Sequence, residues 1–297
     1  MCIRDMIINI YKEKGFTSHD VVAKLRGILR QKKIGHTGTL DPDAVGVLPV
    51  CLGRATKVCE FLTDQTKTYR AVLHLGVVTD TQDASGKILQ ENPVTVTEQE
   101  VVQTVPEFEG EQLQIPPMYS ALKVGGKKLY ELAREGREVE RKPREIYIHE
   151  IRIEKMELPY ITMEVTCSKG TYIRTLCHDL GARLGCGGCM ESLERIRVGD
   201  FYVEDSLTLS EVENLARENC MEEVLLPVEE VFSEYDRICC PPSLDKRLYN
   251  GNPFSFQELE GPAEGIFRLC DSHGTFIGIY QKDEKRRAYF PAKMFYP

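Results

Sequence analysis

No apolar run in this sequence approaches the roughly 20 residues that a helix needs to cross a bilayer. The start, MCIRDMIINI, lacks the apolar core and small-residue cleavage site of a signal peptide. A cytoplasmic protein is expected. The eleven cysteines show no framework spacing, and an odd, scattered set fits reduced thiols better than disulfides. One Cys-x-x-Cys pair, Cys186 and Cys189, has no second pair to complete a zinc site, with Cys239 and Cys240 far downstream. No metal is expected. The sequence also lacks a nucleotide-cofactor fingerprint, an internal repeat and a low-complexity tract, and its first five residues carry neither pattern nor charge cluster. What is present is an ordinary globular composition: 297 residues, 42% hydrophobic, enough to bury the core of one large unit and a small one.

Basic residues are nearly missing from Glu204 to Asp236, where eleven acidic residues face the single Arg217. That segment carries a local charge of -10 within a chain of net charge -8, so the remainder is slightly positive at +2. The overall acidity therefore does not exclude a polyanionic partner, whose condensed counterions lysine and arginine must displace. Conversely, Val21 to Leu40 has no acidic residue and five basic ones, Lys24, Arg26, Arg30, Lys32 and Lys33. Such a strip can track a phosphate backbone, or be a solvated helix face.

Apolar positions Val21, Val22, Leu25, Ile28 and Leu29 recur at helical spacing after Ser18, a candidate cap, and the helix should end near Gln31 to Lys33. Leu48 to Leu52 reads as a buried strand, Ala55 to Leu62 as a short helix, and Lys67 to Leu75 as a strand with Tyr69, Ala71, Leu73 and Leu75 on one face. Thr97 with Glu100 is a capping-box pattern, and Lys127 to Arg134 reads as a helix stopped by Gly136. Ile146 to Ile153 and Ile161 to Cys167 are strand regions, and Thr171 to Leu184 is a helix. Strands and helices mix without regular alternation, which predicts an α+β fold with a mainly antiparallel mixed sheet. The acidic stretch from Leu209 to Glu230 reads as a helical bridge. Beyond it, turn pairs such as Asn250-Gly251 and Gly261-Pro262 separate short strands, among them Gly265 to Cys270 and Phe276 to Gln281. This spacing predicts two domains, 1–230 and a small β-rich module at 231–297.

The most unusual segment is Gly35-His36-Thr37-Gly38-Thr39-Leu40-Asp41-Pro42-Asp43, too rich in breakers for helix or strand. Pro42 restricts the backbone of Asp41 to extended conformations and so fixes the direction of its carboxylate. A positioned nucleophile or base and a plain Asp-Pro turn both fit that feature. A phosphate-cradling loop does not, because no Lys-Ser/Thr pair follows the glycines.

This run, with Ala44, Gly46, Leu48 and Pro49, resembles the signature of the bacterial tRNA pseudouridine synthase B family, in which the aspartate of Gly-Thr-Leu-Asp is catalytic. Further segments agree in order: Lys67-Thr68-Tyr69-Arg70-Ala71 with Thr79 to Ala84, then Ile115-Pro116-Pro117-Met118-Tyr119-Ser120-Ala121-Leu122-Lys123, then Cys167 to Leu176. The likeness spans most of residues 7 to 200, and the C-terminal module is similar to the PUA-type RNA-binding domain that members often carry. The resemblance implies a pseudouridine synthase fold and isomerisation of uridine 55 in the T-arm of transfer RNA. It makes Asp41 the nucleophile, and His36, Tyr69, Tyr172, Arg174 and Leu193 the substrate-binding residues.

By the same resemblance Tyr69 stacks on the base and Arg174 pairs with Asp41. An arginine there would keep the aspartate ionised by lowering its pKa. Asp83 is a further candidate for orienting the site. Such an isomerisation needs no redox carrier, so no cofactor is expected; transfer RNA is the expected partner, with no membrane and no metal, and the protein is expected to act as a monomer. Two alternatives stand beside this reading: a transfer-RNA-binding protein without activity, and a pseudouridine synthase acting on another RNA.

Overall fold

Ten strands join in one sheet in the computed structural model, which describes residues 5–262 and 264–295. In chain order they are β1 (Met6–Lys12), β2 (Ile34–His36), β3 (Val45–Leu52), β4 (Lys67–Leu75), β5 (Gly110–Gln114), β6 (Arg144–Glu157), β7 (Tyr160–Cys167), β8 (Gly188–Val198), β9 (Phe201–Tyr202) and β10 (Leu225–Pro227). Their spatial order is β10-β1-β3-β8-β4-β7-β6-β5, with β2 beside β3 and β9 beside β8. Every pairing named for this sheet is antiparallel except that of β3 with β8. The mainly antiparallel mixed sheet and the α+β class are those expected from the sequence.

Strand burial explains the residue patterns. β3 reads VGVLPVCL because both of its faces are covered. Leu48, Val50 and Leu52 join Ile8 and Ile10 beneath helices α1 (Ser18–Ile28) and α3 (Leu209–Glu218), which contribute Val21, Val22, Leu25 and Val212. On the other face Val47 and Cys51 meet Ile7, Val58 and Phe232. β4 alternates instead, placing Ala71, Leu73 and Leu75 in a second core under helix α2 (Ile173–Arg183). Each large apolar side chain so buried contributes about 1.5–3 kcal/mol.

A second sheet has five strands within Arg237–Met294 and its own core around Phe254, Phe267, Leu269 and Tyr280. Ile279 and Phe295 from this module also pack with Ile7, Val47 and Phe232, so apolar contacts join the module to the large sheet.

Four local expectations need correction. Thr17, not Ser18, caps α1, exchanging hydrogen bonds with Asp20; Ser18 Oγ instead accepts from Leu40 N at 3.0 Å. That helix stops at Ile28, before the basic cluster, and Arg30 turns the chain with φ 50°. Lys127–Lys128 pairs with Lys123–Val124 as a hairpin, and the helix starts at Leu129. The acidic stretch is helical only to Glu218; Leu225–Pro227 then adds to the edge of the large sheet against β1. Residues 1–4 lie outside the described set, while Asp5 pairs with Arg54.

Candidate active site

The loop between β2 and β3 is tied down on both sides of Asp41. His36 ends β2 opposite Val50 of β3, and Thr37, buried, binds Pro49 O through both its amide and its hydroxyl at 3.2 Å. Ser18 holds the Leu40 amide. After Asp41, Pro42 O accepts from Gly15 N at 2.9 Å and from Lys12 Nζ at 3.1 Å, and Ala44 N binds Asp41 O at 3.2 Å. Leu40 is buried, whereas the Asp41 side chain keeps 45% of its surface open. A backbone so anchored aims the carboxylate at low entropic cost during any reaction.

Arg174, the second residue of α2 and 5% exposed, lies 3.0 Å from Asp41 Oδ2 through Nε. Its fork is otherwise filled: Nη1 donates to Thr81 O at 3.2 Å and lies 3.4 Å from Asp83 Oδ2, and Nη2 donates to Tyr119 O at 2.9 Å. Asp83 is fixed in turn by Thr81 Oγ1 at 2.7 Å and Ser85 Oγ at 2.6 Å. The structure thus brings Asp41, Arg174 and Asp83, widely separated in the chain, into one network.

Arg174 lowers the Asp41 pKa as expected, yet the net shift is upward. The Asp41 pKa is raised from the ordinary value, because loss of hydration outweighs Arg174, the strongest opposing influence; Asp83 pushes it further up. The ion pair limits the rise rather than producing a fall.

Tyr69, half-buried on β4, stands between Val165 of β7 and Arg195 of β8. Leu193, on the same strand as Arg195 and opposite Ala71, joins Tyr69 in packing against the second core and makes no hydrogen bond within the Asp41 network. His36 takes a weak hydrogen bond from Gly38 N at 3.4 Å and meets His19 edge to face at 5.1 Å; burial, then His19, lowers its pKa. Tyr172 precedes α2, half-buried, with its hydroxyl pKa raised by burial. Its main chain is gripped by Gln114, whose side chain accepts from Tyr172 N at 2.8 Å and donates to Tyr172 O at 3.0 Å.

Gln114 was not singled out in the sequence, nor were Lys12 and Arg195. Lys12 and Arg195 are at most 1% exposed, and Lys67 is 5% exposed. Among the described residues none of these three cations forms a close ion pair; main-chain carbonyls take their hydrogen bonds. Burial lowers Lys12 and Lys67 to about 8 each. A signal existed for Lys12, which follows Ile8 and Ile10 in the inward phase of β1. Among the described residues there is no cluster of three or more His, Cys, Asp or Glu that could hold a metal ion.

Two family models cover the body of the chain. One, described as the TruB family pseudouridylate synthase N-terminal domain, matches residues 26–173, and the tRNA pseudouridylate synthase B C-terminal domain matches residues 174–233. The chain belongs to the tRNA pseudouridine synthase B family. A relative of that name from Lachnoclostridium phytofermentans is 51% identical, the alignment covering 97% of this chain and 99% of the relative. Another from Clostridium tetani is 45% identical over 94% of this chain and 96% of its own. Among solved structures, a chain of a Cbf5-Nop10-Gar1 complex superposes with TM-score 0.76 at 27% identity, covering 99% of this chain and 86% of that one. A chain of an H/ACA RNP bound to a substrate RNA containing 2'-deoxyuridine gives TM-score 0.75 at 25% identity, with 99% and 86% covered. The family's fold is the pseudouridine synthase fold expected from the resemblance, and the solved relatives align along almost the whole chain, the C-terminal β module included.

Proposed function

We propose that this protein is an isomerase converting uridine 55 in the T-arm of transfer RNA to pseudouridine, with Asp41 as the nucleophile. The observation that carries the reading is the half-open Asp41 carboxylate, anchored on both flanks and ion-paired to buried Arg174 at 3.0 Å, in a chain of this family. A stacked uridine is out of reach of such a group, so the nucleotide must be flipped out and held by stacking and edge contacts. Tyr69 supplies the stacking face, and His36, Tyr172 and Leu193 line the nucleotide. Asp41 bonds to the ribose C1′ or to the pyrimidine ring, the bond from uracil N1 to ribose C1′ breaks, the base turns so that C5 bonds to C1′, and the bond to Asp41 breaks to free the carboxylate. C5 then loses its proton and N1 gains one. Substrate and product are isomers, so no redox carrier takes part.

Residues 1–230 form the catalytic part in this reading, and 231–297 an RNA-gripping PUA-like module. The exposed Lys24, Arg26, Arg30, Lys32 and Lys33 follow the phosphate backbone. The protein works as a cytoplasmic monomer; no described helix is long and apolar enough to cross a membrane. Tritium release from transfer RNA labelled at uracil C5 tests the proposal. Wild type should release tritium and Asp41→Asn should not, at unchanged RNA affinity; binding without release by wild type would leave only an RNA-binding protein. A T-arm minihelix should suffice as substrate.

A further inference from the structure

Arg195 stands at the seam of the large sheet, on β8 between its parallel partner β3 and its antiparallel partner β4. Its main chain crosses Gly46 so closely that a Cβ there would lie 2.3 Å from Arg195 O. Nε donates to Val47 O at 2.7 Å, Nη2 reaches Gly38 O at 3.5 Å, and Tyr69 is the residue directly across from Arg195 on the neighbouring strand β4. One buried residue therefore touches the loop that carries Asp41 and stands beside the tyrosine assigned to stack on the base.

Packing alone does not call for a cation here. A buried charge is costly without an opposite charge, and an apolar side chain of similar volume would fill the space at lower free energy. Lys12 and Lys67 add to the same local positive charge; none of the three forms a close ion pair among the described residues, and Asp41 and Asp43 act on Lys12 only at longer range. What the guanidinium does that an apolar chain cannot is present several donors in a fixed plane to several acceptors.

We propose that Arg195 is a positioning residue that sets the width of the base slot by locking the Tyr69 hydroxyl to the Gly38 end of the catalytic loop. The inference rests on the functional reading above, in which Tyr69 stacks on the flipped uracil. Arg195 acts through Tyr69 and the loop and need not touch the nucleotide. Misplacement of a reacting group by about 1 Å lowers a rate about 100-fold.

The test is a double-mutant cycle on single-turnover tritium release, using full-length protein and transfer RNA, with melting temperature and RNA affinity measured for each variant. Arg195→Met should slow release about 100-fold with affinity within about threefold of wild type. Tyr69→Phe should also slow release, and the double variant should be no more than about threefold slower than the slower single variant, because both changes cut the same link. If Arg195→Met does not fold, Arg195→Lys, which keeps the charge without the planar fork, enters the same cycle. Slowing that multiplies across the two sites, or that merely follows the folded fraction, overturns the positioning role. Absence of release by wild type overturns the functional reading and this inference together; release with multiplying effects overturns only the inference.

Discussion

Replacing Arg174 by methionine removes the strongest influence that opposes the raised pKa of Asp41. Two unit charges 3.0 Å apart attract by about 5.5 kcal/mol at an effective dielectric of about 20. Asp41 keeps 45% of its side chain open, and solvent screening reduces that attraction to about 1–2 kcal/mol. This corresponds to a loss of about 5- to 30-fold if the charge acts fully on the reactive state. Loss of the fork that also holds Thr81 O, Tyr119 O and Asp83 should cost about another 100-fold through misplacement. The sign of the pH effect is fixed by the same groups. In the proposed reaction the carboxylate is the reactive form; its pKa is already raised, and without Arg174 the push from Asp83 and Asp43 is less opposed, with Lys12 still lowering it. The acid limb of the rate profile should therefore move to higher pH. Single-turnover tritium release measured between about pH 5 and pH 9, with RNA affinity measured alongside, reads both effects. Arg174→Lys should restore much of the limb but little of the plateau, since one ammonium cannot satisfy the same four acceptors. A methionine variant with an unmoved limb and a plateau within threefold of wild type would refute the reasoning.

Three other perturbations follow from the supports of the site. Burial lowers the Lys12 pKa to about 8 in the folded protein, against about 10.4 for an unfolded lysine, so between those pH values the unfolded chain binds more protons and folding gains as pH rises. Urea denaturation should show wild type gaining on Lys12→Met from pH 8 to pH 10 by up to about 1.4 kcal/mol per pH unit; a flat or shrinking difference contradicts the burial of the charged amine. Gly46→Ala places a Cβ 2.3 Å from Arg195 O at φ 103° and should cost about 3 kcal/mol or more in the same assay; a cost below about 1 kcal/mol would show that the β3–β8 contact is looser. Gln114→Leu strips both hydrogen bonds from the Tyr172 main chain and should cost about 2 kcal/mol of stability. It should also slow release at saturating RNA, and a full rate would mean that Tyr172 keeps its place unaided.

Much of the fold was legible because it rests on local period. The strand Lys67–Leu75 appears where its alternation placed it, and the capping box of Thr97 with Glu100 forms as written. Other elements depend on neighbours. Thr17 and Ser18 are both competent caps, and only the arrival of Leu40 gives Ser18 another task. Leu225–Pro227 is a strand because β1 presents an open edge, and three residues carry too little pattern to reveal it. Arg195 sits two residues beyond Leu193 in a charge-rich stretch, with no cue that its guanidinium turns inward.

By itself the sequence determined the family, the α+β class and the loop that presents Asp41, since each is written in residues close together along the chain. Tertiary structure decided that Arg174 and Asp83 meet that carboxylate, that Lys12, Lys67 and Arg195 are buried with main-chain carbonyls as acceptors, and that the Asp41 pKa moves up rather than down. The physical reason is that hydration and Coulomb energy are summed over everything near in space, and a charge many residues away in the chain can be the nearest one.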